Sequence, residues 1–151
     1  MKLTKIEIIP ENKITLEVFC AAMPSVAYLK VLVMKFSGVY GDGSGGNGDA
    51  NYMSSMTLAA LSFTDPFGLI FDFTHLSYDL GDMMTNVIFV GENRWVNDKF
   101  PLAIIVSDKC EVAITSLLRQ EHSMEDLSLL HKSLDSALSY IDSLNKFGLS
   151  N

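Results

Sequence analysis

The side chains best placed for chemistry follow one short apolar segment. Residues 68–74, Gly-Leu-Ile-Phe-Asp-Phe-Thr, predict a buried parallel strand. At or just after its C-terminal end stand Asp72, His75, Asp79 and Asp82. Ligands of open parallel sheets bind at this edge, so Asp72 and His75 are the predicted ligand-binding residues, unless both only bond to nearby backbone. No spacing singles out a carboxylate pair for acid–base catalysis.

Covalent catalysis needs a serine or cysteine beside a base that a carboxylate orients. The chain has no Gly-x-Ser-x-Gly segment and only three histidines, of which two are His122 and His131. Cys20 falls on the apolar face of a predicted strand. Cys110 falls near a predicted helix start, a position that can lower a thiol pKa, but a structural role is the simpler interpretation. The sequence therefore predicts a protein that is not an enzyme.

Residues 38–49 contain six glycines and predict a flexible loop. Asp42-x-Ser44-x-Gly46 lacks the further acids of a calcium-binding loop, and the single Gly-Gly-Asn-Gly-Asp copy does not match the calcium-binding β-roll repeat. The loop also lacks the Gly-Lys-Ser/Thr of a phosphate-binding loop. The sequence therefore predicts neither a metal nor a cofactor.

Negative charge is concentrated in one interval. Between Lys35 and Arg94 there is no lysine or arginine. This interval holds seven acids that account for the whole net charge of −7: Asp42, Asp49, Asp65, Asp72, Asp79, Asp82 and Glu92. Such a field accelerates encounters with a cationic partner and disfavours nucleic acid. The alternatives are that the acids only keep loops soluble or that they bind a metal.

The elements that would position these acids follow from residue periodicity. Alternating apolar residues predict strands at 2–9 and 14–20 and, with a helix as competitor, at 26–36. Helical spacing runs from a cap at Asp49 or Asn51 to a stop at Asp65-Pro66. The second half then predicts a helix over 83–91, a strand over 101–107, a helix after Asp108, a strand or early helical turn over 127–131, and a helix that starts at Ser133 and ends just before Gly148.

This order predicts a single α/β (or α+β) domain over residues 1–151, in which antiparallel N-terminal strands lead into a mostly parallel sheet with helices packed on it and a C-terminal helix. No uncharged apolar run reaches 18 residues, and no signal-length run follows the N-terminal lysines. The two distant cysteines exclude a disulfide framework. We therefore expect a soluble cytoplasmic protein that does not bind a membrane; its oligomeric state is left open.

Three segments resemble known α/β units: Leu69 to Met84, Pro101 to Ser107, and Ser133-Leu-Asp-Ser-Ala-Leu-Ser-Tyr140. Together they resemble the STAS domain of sulfate transporters and anti-sigma-factor antagonists, and the single βαβ unit of the crotonase fold. The turn Asp79-Leu-Gly-Asp82 lacks the phosphorylatable serine of the antagonists. The chain is too short for a crotonase domain and shows no oxyanion-hole loop or catalytic glutamate. The resemblance therefore implies a fold and not an activity.

A small acidic α/β domain without catalytic motifs also resembles bacterial immunity proteins, which neutralise cationic nuclease toxins by blocking their active site or substrate surface. This hypothesis assigns the contacts to Asp42, Asp49, Asp65, Asp79, Asp82 and Glu92. One alternative is a STAS-like regulatory module that binds a partner protein through a helical face. Another is a small crotonase-like enzyme or acyl-CoA-binding remnant with an apolar pocket near Asp72 and His75.

Overall fold

The computed structural model describes residues 1–8 and 13–148. Within them, the strands are β1 (Thr15–Ala22), β2 (Lys30–Val39), β3 (Gly68–Asp72), β4 (Leu76–Ser77), β5 (Leu102–Ile105) and β6 (Leu130–His131). The main sheet has the strand order β1-β2-β3-β5-β6, in which only β1 is antiparallel to its neighbour. β4 pairs in parallel with the end of β2, beyond the part of β2 that β3 covers.

Helices cover both faces of this sheet. They are α1 (Asn47–Thr64), α2 (Met84–Ile88), α3 (Glu111–His122) and α4 (Leu134–Gly148), and a 3₁₀ helix at Gly43–Gly46 precedes α1. The first three helices share one apolar core with alternate residues of β2, including Leu32 and Met34. Ala137 and Ile141 of α4 belong to a second core that holds the intervening residues of β2. The α/β architecture predicted from the sequence is therefore confirmed.

The strand alternation explains why the third apolar segment is a strand rather than a helix. Leu32, Met34 and Phe36 are fully buried on the face of α1, while Val31 and Val33 are buried on the face of α4. A residue period of two buries all five side chains only when both faces of the sheet are covered. The same period places buried side chains of β3 and β5 in the two cores.

Two predictions about local structure are wrong. Residues 1–8 are exposed and have no regular structure, so the strand predicted over 2–9 does not form in them; residue 9 lies outside the described residues. A strand needs a neighbour for its backbone groups, and nothing in the described chain pairs with this segment. The loop predicted over 38–49 is also shorter than expected, because β2, the 3₁₀ helix and α1 take up most of it.

Candidate functional site

Two loops lie side by side: the first, residues 40–42, follows β2, and the second, residues 78–83, follows β4. The N–H of Tyr40 donates to the carbonyl of Ser77 over 2.9 Å, and the N–H of Gly43 donates to the carbonyl of Leu80 over 3.4 Å. These bonds place exposed Asp42, which precedes Gly43, beside the distant segment that carries two further exposed acids, Asp79 and Asp82. We call these three residues, with Leu80 between them, the acidic loop surface.

Two buried tyrosines support this surface from below. The rings of Tyr40 and Tyr78 meet edge to face, with centroids 5.1 Å apart. The Tyr78 hydroxyl donates to the carbonyl of Gly81 over 2.8 Å. Gly81 has a φ of +140°, a conformation that L side chains rarely adopt, and a Cβ there would lie 3.1 Å from the Tyr40 ring. The second loop is therefore fixed by hydrogen bonds to the carbonyls of both Gly81 and Leu80.

Neither tyrosine is a base or nucleophile at neutral pH. Burial, assisted by the charge of Asp49, raises the pKa of Tyr40 to about 12. Burial also raises the pKa of Tyr78 well above its usual value, and Tyr40, Asp82 and Glu121 add to the effect. Both phenols therefore stay protonated and serve as supports. Glu121, which the sequence analysis did not single out, contributes to the negative potential here.

Asp49 belongs beneath this surface rather than on it. Its side chain is buried, and its Oδ2 accepts the N–H of Gly41 over 2.9 Å. It lies in the first turn of α1. A negative charge is favourable there because the first backbone N–H groups of a helix have no intrahelical acceptor and form the positive end of the helix dipole. Burial removes Asp49 from the predicted contact residues and assigns it to holding the first loop against α1.

The other two predicted contact acids lie elsewhere. Asp65 ends α1 in the left-handed conformation, just before β3 begins. It therefore lies near the N-terminal end of β3, whereas the acidic loop surface lies at the C-terminal ends of the strands. Its Oδ1 accepts a bond from Arg94 Nη2 over 2.8 Å, which neutralises its charge locally. Glu92 follows α2 and lines a shallow depression of about 270 Å³ with Phe89, His122 and their neighbours. The structure therefore brings together three of the six predicted acids.

The predicted ligand edge begins with a hydrogen-bonded turn. Asp72 Oδ1 accepts the backbone N–H and the hydroxyl of Thr74, the first over 3.0 Å, which closes the turn after β3. His75 is exposed, and its carbonyl accepts the N–H of Gly38 over 3.0 Å. Asp72 thus bonds to its own turn, as the alternative interpretation of the sequence stated.

One close serine–histidine pair was not predicted from the sequence. Ser136 Oγ lies 2.6 Å from His131 Nδ1, where β6 leads into α4. The other ring nitrogen, Nε2, is buried and has no hydrogen-bond partner in the part of the chain that the structure describes. No carboxylate therefore orients the ring from behind, so these residues do not form a catalytic triad. Burial lowers the pKa of His131.

The two thiols are expected to differ sharply in reactivity. Cys20 is exposed on β1, whereas Cys110 is buried and lies 3.6 Å from the carbonyl of Phe73. Burial also raises the pKa of Cys110, so its reactive thiolate form is disfavoured. With Ellman's reagent we expect one thiol per native chain to react at least about 100-fold faster than the other. The Cys20→Ser variant should lose the fast phase; equal rates for both thiols would contradict the assignment.

Among residues 1–8 and 13–148, no group of three His, Cys, Asp or Glu side chains is arranged to hold a metal ion. Nor does any helix in these ranges have the length and apolar character needed to cross a membrane. The resemblance to STAS and crotonase units stays a prediction. Comparison with protein-family models, with curated proteins and with solved structures finds no match to this chain.

Proposed function

We propose that this protein is a non-catalytic binding protein whose acidic loop surface docks on a cationic protein, as an immunity protein docks on a nuclease toxin. The observation that carries the proposal is the convergence of Asp42, Asp79 and Asp82. All three are exposed, and none of them takes part in an ion pair within the described residues. Their charges are therefore available to a partner.

The support beneath the surface favours binding. The bond from Gly43 to Leu80, the bond from Tyr78 to Gly81 and the buried Asp49 hold both loops in place before any partner arrives. A preorganised surface loses less conformational entropy when it binds. The acids should therefore attract a partner without first having to order their own loops.

The surface also has an apolar centre. Leu80 is 54% exposed and stands between Asp79 and Gly81, against Gly43. An apolar residue among charged neighbours matches the usual division of an interface into a desolvated centre and a charged rim. Lys109 adjoins the surface, because its carbonyl accepts the N–H of Tyr78, but the three carboxylates outnumber it.

The mechanism that follows is blockade without chemistry. A nuclease binds phosphates with cationic side chains, and a rigid acidic surface competes for those side chains. The acids speed the encounter, while Leu80 and the surrounding backbone limit dissociation. The partner's substrate is then excluded by charge and by volume.

The test is capture of partners from a lysate of the source cells at low salt, with stepwise salt elution and identification by mass spectrometry. The test variant is Asp42→Asn/Asp79→Asn/Asp82→Asn. We expect it to associate with the captured basic protein about 10- to 100-fold more slowly at low ionic strength. Its matched control is Glu7→Gln/Asp98→Asn/Glu125→Gln, which removes three exposed acids elsewhere.

The control variant should bind like the wild type, and addition of one equivalent of wild-type protein should inhibit the partner's nuclease activity. Equal association rates for both triple variants would refute the acidic loop surface as the binding site. A partner whose affinity is indifferent to salt would favour the STAS-like regulatory function instead.

A further inference from the structure

Strand β1 is an edge strand without the usual protection. It pairs with β2 one residue to one residue over its whole length, so no bulge turns it away from a neighbour. It contains no proline and no lysine, and Glu17 is its one charged residue. Val18 and Phe19 are 45% and 49% exposed on its opposite faces. Such an edge offers its outward backbone groups and apolar side chains to another strand.

The N-terminal segment, residues 1–8, exposes several apolar side chains. Leu3, Ile6 and Ile8 are 85%, 76% and 72% exposed, and residues 1–8 have no regular structure. The segment is nevertheless rich in β-branched residues, which favour a strand. Its apolar side chains are therefore left in water in a single copy of the chain.

We propose that residues 2–8 of a second copy pair antiparallel with the outer edge of β1, so that two copies exchange N-terminal strands. One register matches both charge and hydrophobicity. With Leu3 opposite Phe19, Lys5 stands opposite Glu17 and Ile6 stands opposite Leu16. Glu17 already faces Lys35 of β2, with Nζ and Oε1 4.0 Å apart, so Lys5 would complete a line of alternating charge.

Neighbouring registers are worse. A slip by one residue places Glu7 opposite Leu16 and Ile6 opposite Glu17, so that each charged side chain faces an apolar one. A slip by two residues towards the C-terminus of β1 places Glu7 opposite Glu17, and like charges directly opposite are unfavourable. The single charge of β1 thus selects the register.

A second copy is the occupant because one copy does not fill its own edge. Within the described residues of the single chain, 1–8 stay exposed and no strand pairs with the outer side of β1. Exchange provides the pairing twice, once for each copy, and closes about a two-fold axis without leaving a free edge at β1. The acidic loop surface is not used, so this inference does not depend on the proposed function.

The first test is an engineered cross-link in a Cys20→Ser background. The chain carrying Leu3→Cys and Phe19→Cys should oxidise to a covalent dimer at least about tenfold faster than the off-register pair Thr4→Cys/Phe19→Cys, because only opposed positions bring the sulfurs within bonding range. An internal cross-link that leaves a monomer would overturn the exchange. So would an oxidation rate no faster than that of the off-register control.

The second test measures self-association by sedimentation. The wild type should be dimeric at about 10⁻⁴ M, and Leu3→Asp/Ile6→Asp should raise the dimer dissociation constant at least about 100-fold. Both residues are exposed in the single copy, so the variant should have the same thermal midpoint as wild type that has been diluted until it is monomeric. The control Phe63→Asp/Val96→Asp changes two side chains that are 92% and 95% exposed and should leave the dimer intact. A monomeric wild type would refute the proposal.

Discussion

Replacement of Gly46 by alanine is expected to destabilise the protein by about 3 kcal/mol or more. A Cβ at this buried position would lie 2.2 Å from Cε1 of Tyr40 and 2.3 Å from the carbonyl oxygen of Gly41. Gly46 has a φ of −90°, which residues with a side chain also adopt, so the cost comes from the lack of space. One of the two obstacles is backbone and the other is a ring packed against Tyr78, so neither can move cheaply.

The neighbouring glycine provides the control. Gly45 has no atom within 4 Å of its ideal Cβ, so Gly45→Ala should change the free energy of unfolding by no more than about 0.5 kcal/mol. Urea denaturation of the two variants beside the wild type measures both values. If Gly46→Ala is as stable as Gly45→Ala, Tyr40 is not the rigid support described above.

A steep loss of stability above pH 10 is the second large effect. Burial raises the pKa of Tyr40 to about 12, from an ordinary value of 10.0. Below pH 10 the phenol is protonated in both folded and unfolded chains. Between about pH 10 and pH 12 only the unfolded chain loses the proton, which favours unfolding by on the order of 2–3 kcal/mol for this residue. The raised pKa of Tyr78 acts in the same direction.

The variant Tyr40→Phe separates this effect from general alkaline unfolding. The Tyr40 hydroxyl is buried and has no hydrogen-bond partner within the described residues, so its removal should be neutral or stabilising by about 1 kcal/mol near pH 7. Urea midpoints taken from about pH 8 to about pH 12 should then fall less steeply in the variant than in the wild type. An equally steep fall in both would contradict a tyrosine-linked loss.

The helices and central strands were predictable because their signals are local. The apolar residues of α4 recur every three or four positions, and β3 and β5 are short, continuous apolar runs. The two-residue strand β4 was not predicted, and neither was the start of α1 at Asn47. Glycine content alone does not show that Tyr40 packs against Gly46, just before α1. The strand predicted over residues 2–9 failed for a different reason, since a strand depends on a neighbour that sequence pattern does not supply.

The candidate site was predictable in composition and not in geometry. The interval without bases contains all three acids of the acidic loop surface. It could not show that Asp42 would meet Asp79 and Asp82, because that depends on the bond between Gly43 and Leu80. Nor could it separate them from Asp65, which lies near the N-terminal end of β3 beside Arg94.

The fold class, the order of most elements and the concentration of negative charge in one interval follow from the amino-acid sequence alone. These properties depend on residue type and on spacing along the chain. The shared surface of three acids, the burial of Asp49 and, within the described residues, the unpaired outer side of β1 emerge only from the folded chain. Those outcomes depend on contacts between residues distant in sequence, which arise when the sheet is assembled and the helices cover it.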